Sequence, residues 1–241
     1  MTNPSANVVL VHGAFSDGSG WAKVIPILQF AGHNVVAVQN EMTSLKGDSE
    51  NTRAAIDAMS GPTVAVGHSY GGAVITSAAF GATNIIGLVY VAAFAPDEGE
   101  TLGDLFQKFP PAPGFKYIAP GPRGVLYIDR AHMAACFAGD LPPAEGAVLA
   151  ATQRPIAPAV FGEKMGPPAW KQHKSWYQVS ENDQMIQPDA ERWMARRAGA
   201  TTISVPSSHA SLLAHPREIA ELILRACAVA TIAANGERAV V

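Results

Sequence analysis

The run Val64-Ala65-Val66-Gly67-His68-Ser69-Tyr70-Gly71-Gly72-Ala73 centres a serine in a G-x-S-x-G pattern, between an apolar β-branched stretch and a segment of helical texture. A serine on a strand-to-helix turn this tight must adopt a strained backbone conformation, and the flanking glycines remove the side chains that would collide with it. Its hydroxyl then stands at the positive end of the following helix, where negative charge developing in a reaction is stabilised. A hydroxyl is a weak nucleophile until a base takes its proton. An imidazole and an orienting carboxylate are therefore expected downstream, in the chain order serine, acid, histidine.

Among the 7 histidines, His209 has the position of the base. It lies in Pro206-Ser207-Ser208-His209-Ala210-Ser211, between an apolar stretch and the last helical pattern, on a loop at the same sheet edge as Ser69. His12 and His68 belong to two glycine motifs, His33 precedes a strand, His132 and His173 lie in or beside a proline-rich region, and His215 precedes Pro216. The acid should follow the preceding strand, where Glu181-Asn182-Asp183 stands. Asp183 is the expected acid, with Glu181 and Asp97 as rivals. Acyl transfer also needs fixed donors for an oxyanion. Tyr70 should supply one backbone N–H, and the loop His12-Gly13-Ala14-Phe15 the other, from Ala14 or, one register later, Phe15.

These residues need a scaffold that gathers them at one edge. Residues 8–11, 34–38, 63–66 and 85–92 are nearly all apolar, which suits parallel strands buried on both faces, and 20–31, 48–60 and 71–81 have the length of right-handed crossovers. The fold class is α/β, a mostly parallel, doubly wound sheet of about six strands. From Ala95 to about Lys174 prolines interrupt every pattern, leaving one extended piece at 124–128 and short helices at 131–138 and 143–153. That texture fits a small cap over 95–174 inserted into a core made of 1–94 and 175–241. Strands at 175–180 and 201–205 alternate with helices at 188–199 and 216–230, and 231–241 carries little pattern.

Composition excludes several classes. The chain has 241 residues, 48% hydrophobic and 15% charged, with 17 Lys plus Arg against 20 Asp plus Glu and a formal net charge of −3. Nothing in that balance offers a basic face to a phosphate backbone, so no nucleic-acid partner is expected. Every apolar run breaks before the ~18 residues of a membrane span. Cys136 and Cys227 cannot build a disulfide framework and read as reduced, buried side chains. The segment from Met1 to Asn7 has no basic region or cleavage site, which reads as a cytoplasmic start.

The chain resembles the α/β-hydrolases, and more narrowly the small cofactor-free branch of plant methyl-ester esterases, hydroxynitrile lyases and their bacterial relatives. The resemblance rests on His12-Gly13-Ala14 with Gly20-Trp21, Ala31-Gly32-His33, Gly67-His68-Ser69-Tyr70-Gly71-Gly72, Val89-Tyr90-Val91-Ala92-Ala93-Phe94, and Ser208-His209 ahead of Leu212-Leu213. It is weakest in the cap. It implies a triad of Ser69, Asp183 and His209, a lid over a small apolar pocket, and no metal or organic cofactor. The lyases of that branch carry Thr where this chain has Gly13 and Lys where it has Ala210, so the pattern here favours ester hydrolysis. The alternatives are a lyase-like or other cofactor-free enzyme on the same scaffold, or a non-catalytic receptor. The expected partner is a small to medium ester with an apolar acyl or aryl group; the oligomeric state is open, a homodimer included. Phe15, His68, Phe94, Phe137, Phe161 and Trp170 are the expected substrate-binding residues, out of an apolar cap inventory that also holds Leu102, Phe106, Phe109, Phe115 and Trp176.

Overall fold

A computed structural model describes residues 6–238, and the expectations for 1–5 and 239–241 lie outside them. Strands and helices alternate first as β1 (Asn7–Val11), α1 (Ile25–Phe30), β2 (Asn34–Val38), α2 (Leu45–Asp57), β3 (Thr63–His68), α3 (Tyr70–Ala78) and β4 (Ile85–Val91). Residues 92–174 carry α4 (Leu102–Gln107), a hairpin of β5 (Ile118–Pro120) and β6 (Leu126–Ile128), α5 (Arg130–Phe137) and α6 (Pro143–Thr152). The alternation resumes as β7 (Ser175–Ser180), α7 (Pro188–Arg197), β8 (Thr201–Val205), α8 (Ser211–Ala214) and α9 (Pro216–Arg238).

Six strands form one sheet in the order β2-β1-β3-β4-β7-β8, with every neighbouring pair parallel. A parallel sheet is covered on both faces, so its inner strands must be apolar on both. β1 shows how. Val8 and Leu10 join Leu28 of α1 and Ile223 of α9 in one buried cluster, while Val9 and Val11 join Ile56 of α2, Val74 of α3 and Met194 of α7 in the other. β2 departs from the expectation of full burial. It is an edge strand, and Asn34 is exposed while Val35, Val36 and Ala37 are half-buried. Because β1 lies between β2 and β3, the chain leaves it on one side and returns on the other. The loops after β1 and β3 diverge there, opening a crevice at the carboxyl ends of the strands.

The structure adds to the expected elements in the cap and extends the last helix. The strand at 124–128 has a partner, β5, whose closing Pro120 reads as a breaker yet is tolerated in a two-stranded edge. α4 is only 6 residues long and starts from a Thr101–Asp104 capping box. α9 runs on to Arg238 through a segment in which no pattern was expected; its alanines favour helix without marking a face. No helix among the described residues is long and apolar enough to cross a membrane.

Candidate active site

β3 ends at His68 and α3 begins at Tyr70, so Ser69 alone makes the turn. Its φ of 52° and ψ of −121° lie where L side chains rarely go. Main chain locks it there: the Ser69 N–H donates to the Val91 carbonyl at 3.1 Å, and the Ser69 carbonyl accepts from Phe94 N at 3.1 Å and Gly72 N at 3.0 Å. The glycines on either side permit the close approach. A Cβ at Gly67 would stand 2.4 Å from the Gly71 carbonyl oxygen, and one at Gly71 would stand 2.5 Å from that of Val11.

The loops after β7 and β8 bring an acid to an imidazole. His209 Nδ1 lies 2.5 Å from Asp183 Oδ2, with both side chains buried. The other oxygen, Asp183 Oδ1, accepts from Met185 N at 2.6 Å and Ile186 N at 2.9 Å, which aims Oδ2 at the ring. The rival carboxylates are committed elsewhere: Glu181 pairs with Arg192, and Asp97 with Lys171 at 2.5 Å. The His209 loop is pinned from the cap as well, since Asp140 accepts from Ser207 Oγ at 2.7 Å and Ser208 N at 2.8 Å.

His68 sits behind this arrangement. Its Nε2–H donates to the His209 carbonyl at 2.9 Å, and its ring packs between Trp21, Phe137 and His209. Burial, and then the neighbouring His209, hold its pKa well below the usual histidine value, so it is a neutral imidazole. His12 does a similar service for the loop after β1. Nδ1–H donates to the Gly13 carbonyl at 2.9 Å and Nε2 accepts from Asn40 N at 3.1 Å, while burial lowers its pKa. With that carbonyl pinned, Ala14 and Phe15 turn over the crevice, Phe15 at φ 62°. Tyr70 opens α3, so its N–H has no partner within the helix, and its hydroxyl donates to Asp48 at 2.7 Å.

Ser69, His209, Ala14, Phe15 and Tyr70 line one cavity of about 30 Å³ together with Phe94, Phe106, Phe115, Ile118, Phe137, Phe161, Met185 and Ile186. Four of the expected lining residues, Phe15, Phe94, Phe137 and Phe161, are among them. Two are not. His68 is turned beneath the His209 loop, and Trp170 donates its Nε1–H to the Pro96 carbonyl at 3.0 Å with Lys171 and Arg197 over its ring. Met185 and Ile186 escaped the sequence reading, although residues whose amides hold the acid must lie beside it. Phe106, Phe115 and Ile118 come from short cap elements whose inward face no periodicity marks.

A family model described as "Alpha/beta hydrolase family" matches residues 8–222, from β1 into α9. The chain belongs to the alpha/beta hydrolase family. A carbendazim hydrolyzing esterase of Nocardioides sp. (strain SG-4G) is 35% identical over 127 residues, 47% of this chain. That match spans 52% of the relative, about half its length. The solved pyrethroid hydrolase of Sphingobium faniae JZ-2 superimposes with a TM-score of 0.79 at 22% identity, covering 92% of this chain and 97% of that one. A methylesterase from Arabidopsis gives 0.75 at 18%, covering 92% and 98%. These last two are likenesses of fold. Among the described residues, no group of three or more His, Cys, Asp or Glu is arranged to hold a metal ion.

Glu191 of α7 is a member of the site's surroundings that the sequence hides, because one glutamate on an otherwise polar helix looks solvated. It is fully buried, and its Oε2 accepts from Ser180 N at 2.9 Å. Burial, and then the charge of Asp183, hold its pKa well above the usual carboxylate value; Glu181 adds to the push. A raised folded pKa means that its share of stability is complete below the unfolded value near 4.5 and is lost as pH rises above it, by at most about 1.4 kcal/mol per pH unit. Glu191→Gln keeps the acceptor for Ser180 and cannot ionise. Its melting temperature relative to wild type should therefore climb between pH 4 and pH 8. A constant difference across that range would show Glu191 to be ionised in the native protein.

Proposed function

We propose that this chain is a serine carboxylesterase that cleaves small to medium carboxylic esters through an acyl-enzyme. The observation that carries the reading is the 2.5 Å contact of His209 with Asp183 at the wall of the same cavity as a serine held at positive φ. Ser69 attacks the ester carbonyl as His209 takes its proton, and the oxyanion is held by the amides of Tyr70 and Ala14. The alcohol leaves with the proton, and water then cleaves the acyl-enzyme by the reverse route while Asp183 keeps the imidazole in the required tautomer. Phe15, Phe94, Phe137 and Phe161 provide an apolar surround that favours a neutral substrate. The names of the relatives, an esterase, a pyrethroid hydrolase and a methylesterase, agree with this reading.

The packing at Gly13 supports hydrolysis over cyanohydrin cleavage. A Cβ there would stand 2.8 Å from Ser69 Cβ and 2.9 Å from His68 Nδ1, so the threonine of the lyase pattern has no room, and Ala210, in the place of the lyase lysine, is fully buried. Gly13→Thr should lower kcat/KM for p-nitrophenyl butyrate by roughly 100- to 1000-fold, the scale of a lost oxyanion donor, while the protein stays folded by circular dichroism. Full activity in that variant would show the loop to be tolerant and remove this support. The direct test of the function is turnover of p-nitrophenyl butyrate together with labelling by phenylmethanesulfonyl fluoride located by peptide mass at Ser69. Neither turnover nor label would end the esterase reading.

A further inference from the structure

The cavity at Ser69 has a neighbour. A second cavity, of about 130 Å³, lies among α4, the proline-rich segment after it, the loop that follows Asp183, and α7. The two share Phe94, Phe106, Phe115, Met185 and Ile186 as walls. Phe106 stands at the centre of the aromatic part of this shared wall. Its ring centroid is 5.0 Å from that of Phe94, 4.2 Å from Phe115 and 6.0 Å from Phe161, an aromatic cluster between the serine and the space beyond.

Size favours a role for the neighbour: the space at Ser69 is about 30 Å³ against about 130 Å³ in the second cavity. The second space approaches the ~150 Å³ of an apolar cavity that accepts benzene. Its chemistry matches: among the lining residues none is charged, and the polar pair is Gln107 and Gln187, of which Gln187 Nε2 already donates to the Pro111 carbonyl at 3.1 Å.

The walls are also tied together. The Gly114 N–H donates to the Gln184 carbonyl at 2.7 Å, and a Cβ at Gly114 would stand 2.6 Å from Met185 Sδ, so the proline-rich segment is seated directly on the loop that holds Asp183. Phe109 packs edge-on to Trp193 at 6.0 Å, and Lys108 and Arg197 cover the Trp193 ring at 4.6 and 4.2 Å.

We propose that this second cavity binds a ring-sized apolar group, aryl or branched alkyl, of the ester cleaved at Ser69, and that Phe106 rotates to admit it. The proposal rests on the esterase reading and narrows its substrate class to uncharged esters with such a group a few bonds from the carbonyl. A shorter ester reacts without entering, and one with a charged group in that position is excluded by the cost of burying it.

The test compares kcat/KM, by pH-stat, for methyl 3-phenylpropanoate and 2-phenylethyl acetate, each as a ratio to ethyl acetate. The protein is wild type, then Ala190→Leu, which fills the cavity from α7, and Ala112→Leu, which fills it from the opposite wall; both alanines line it. A loss of folded protein scales numerator and denominator alike, so the ratio reads the cavity itself. At least one ring-bearing ester should exceed ethyl acetate in wild type and lose tenfold or more of that ratio in both filled variants; the ester affected shows which side of the substrate enters. Ratios that stay within twofold of wild type overturn the proposal while leaving the esterase reading intact. A second arm titrates methyl 3-phenylpropanoate into Ser69→Ala protein and follows tryptophan fluorescence, since Trp193 lines the cavity. Quenching that the added Ala190→Leu change abolishes, in a chain whose wild type turns over no ester, sinks the esterase reading and leaves the binding site standing. No quenching in Ser69→Ala, or quenching that survives the filling, counts against the site.

Discussion

Ser69→Ala should reduce kcat for p-nitrophenyl butyrate by about 10⁴- to 10⁶-fold and abolish labelling by phenylmethanesulfonyl fluoride, with the fold unchanged. Removing a nucleophile of this kind stops covalent chemistry altogether and leaves only what binding and fixed donors do for direct attack by water, a residue of about 10³- to 10⁴-fold over the uncatalysed rate. The substitution is structurally mild. Ser69 holds its place through its own N–H and carbonyl, which bond to Val91, Phe94 and Gly72, and its side chain caps nothing in α3. Alanine at φ 52° is no easier than serine there, so a melting temperature within a few degrees of wild type is expected. Retained turnover in a folded Ser69→Ala protein would place the nucleophile elsewhere and discard the proposed mechanism.

Asp183→Asn should cost nearly as much, about 10⁴-fold in kcat, for a different reason. An asparagine fits the same space and can still accept from Met185 and Ile186 through its oxygen, bonds now made by Asp183 Oδ1 at 2.6 and 2.9 Å. Its NH₂ then faces His209 Nδ1 and can only donate, so the ring must carry its proton on Nε2, and the nitrogen facing the serine can no longer act as a base. The ester KM should change little, because Asp183 is buried behind the imidazole and is not among the residues lining the cavity. Glu181→Gln and Asp97→Asn are the controls, since these carboxylates pair with Arg192 and Lys171. Their kcat should remain within about threefold of wild type, as expected for half-buried surface pairs that do not line the Ser69 cavity. A collapse in either control with Asp183→Asn unimpaired would reassign the acid.

Much of the architecture was legible because it is written in local rules. Strands 34–38, 175–180 and 201–205 have the expected bounds, since β-branched and aromatic residues set between turn signals mark a strand even where, as in the edge strands β2 and β8, most positions are not fully buried. The turn at Ser69 was legible for steric reasons: only glycine fits at 67 and 71 when strand, helix and β1 approach within 2.4–2.5 Å of a would-be Cβ. The strand alternation then brought the loops of Asp183 and His209 to one edge. Local rules gave less in the cap, where prolines cut every period short and α4, β5 and single turns of helix escaped notice.

The sequence by itself determined the doubly wound sheet, the strained serine turn and the order in which a serine, an aspartate and a histidine reach the same edge, because each depends on residue type over a few neighbouring positions. Only the tertiary structure decided that His68 supports the His209 loop from beneath instead of facing the cavity, that Glu191 is fully buried with its pKa raised by burial and by Asp183, and that Phe106 stands in a wall shared by two apolar spaces. Each of these depends on packing between segments far apart in the chain. A histidine, a glutamate or a phenylalanine has the same local signature whether it meets solvent, backbone or substrate, and its neighbours across the fold decide which.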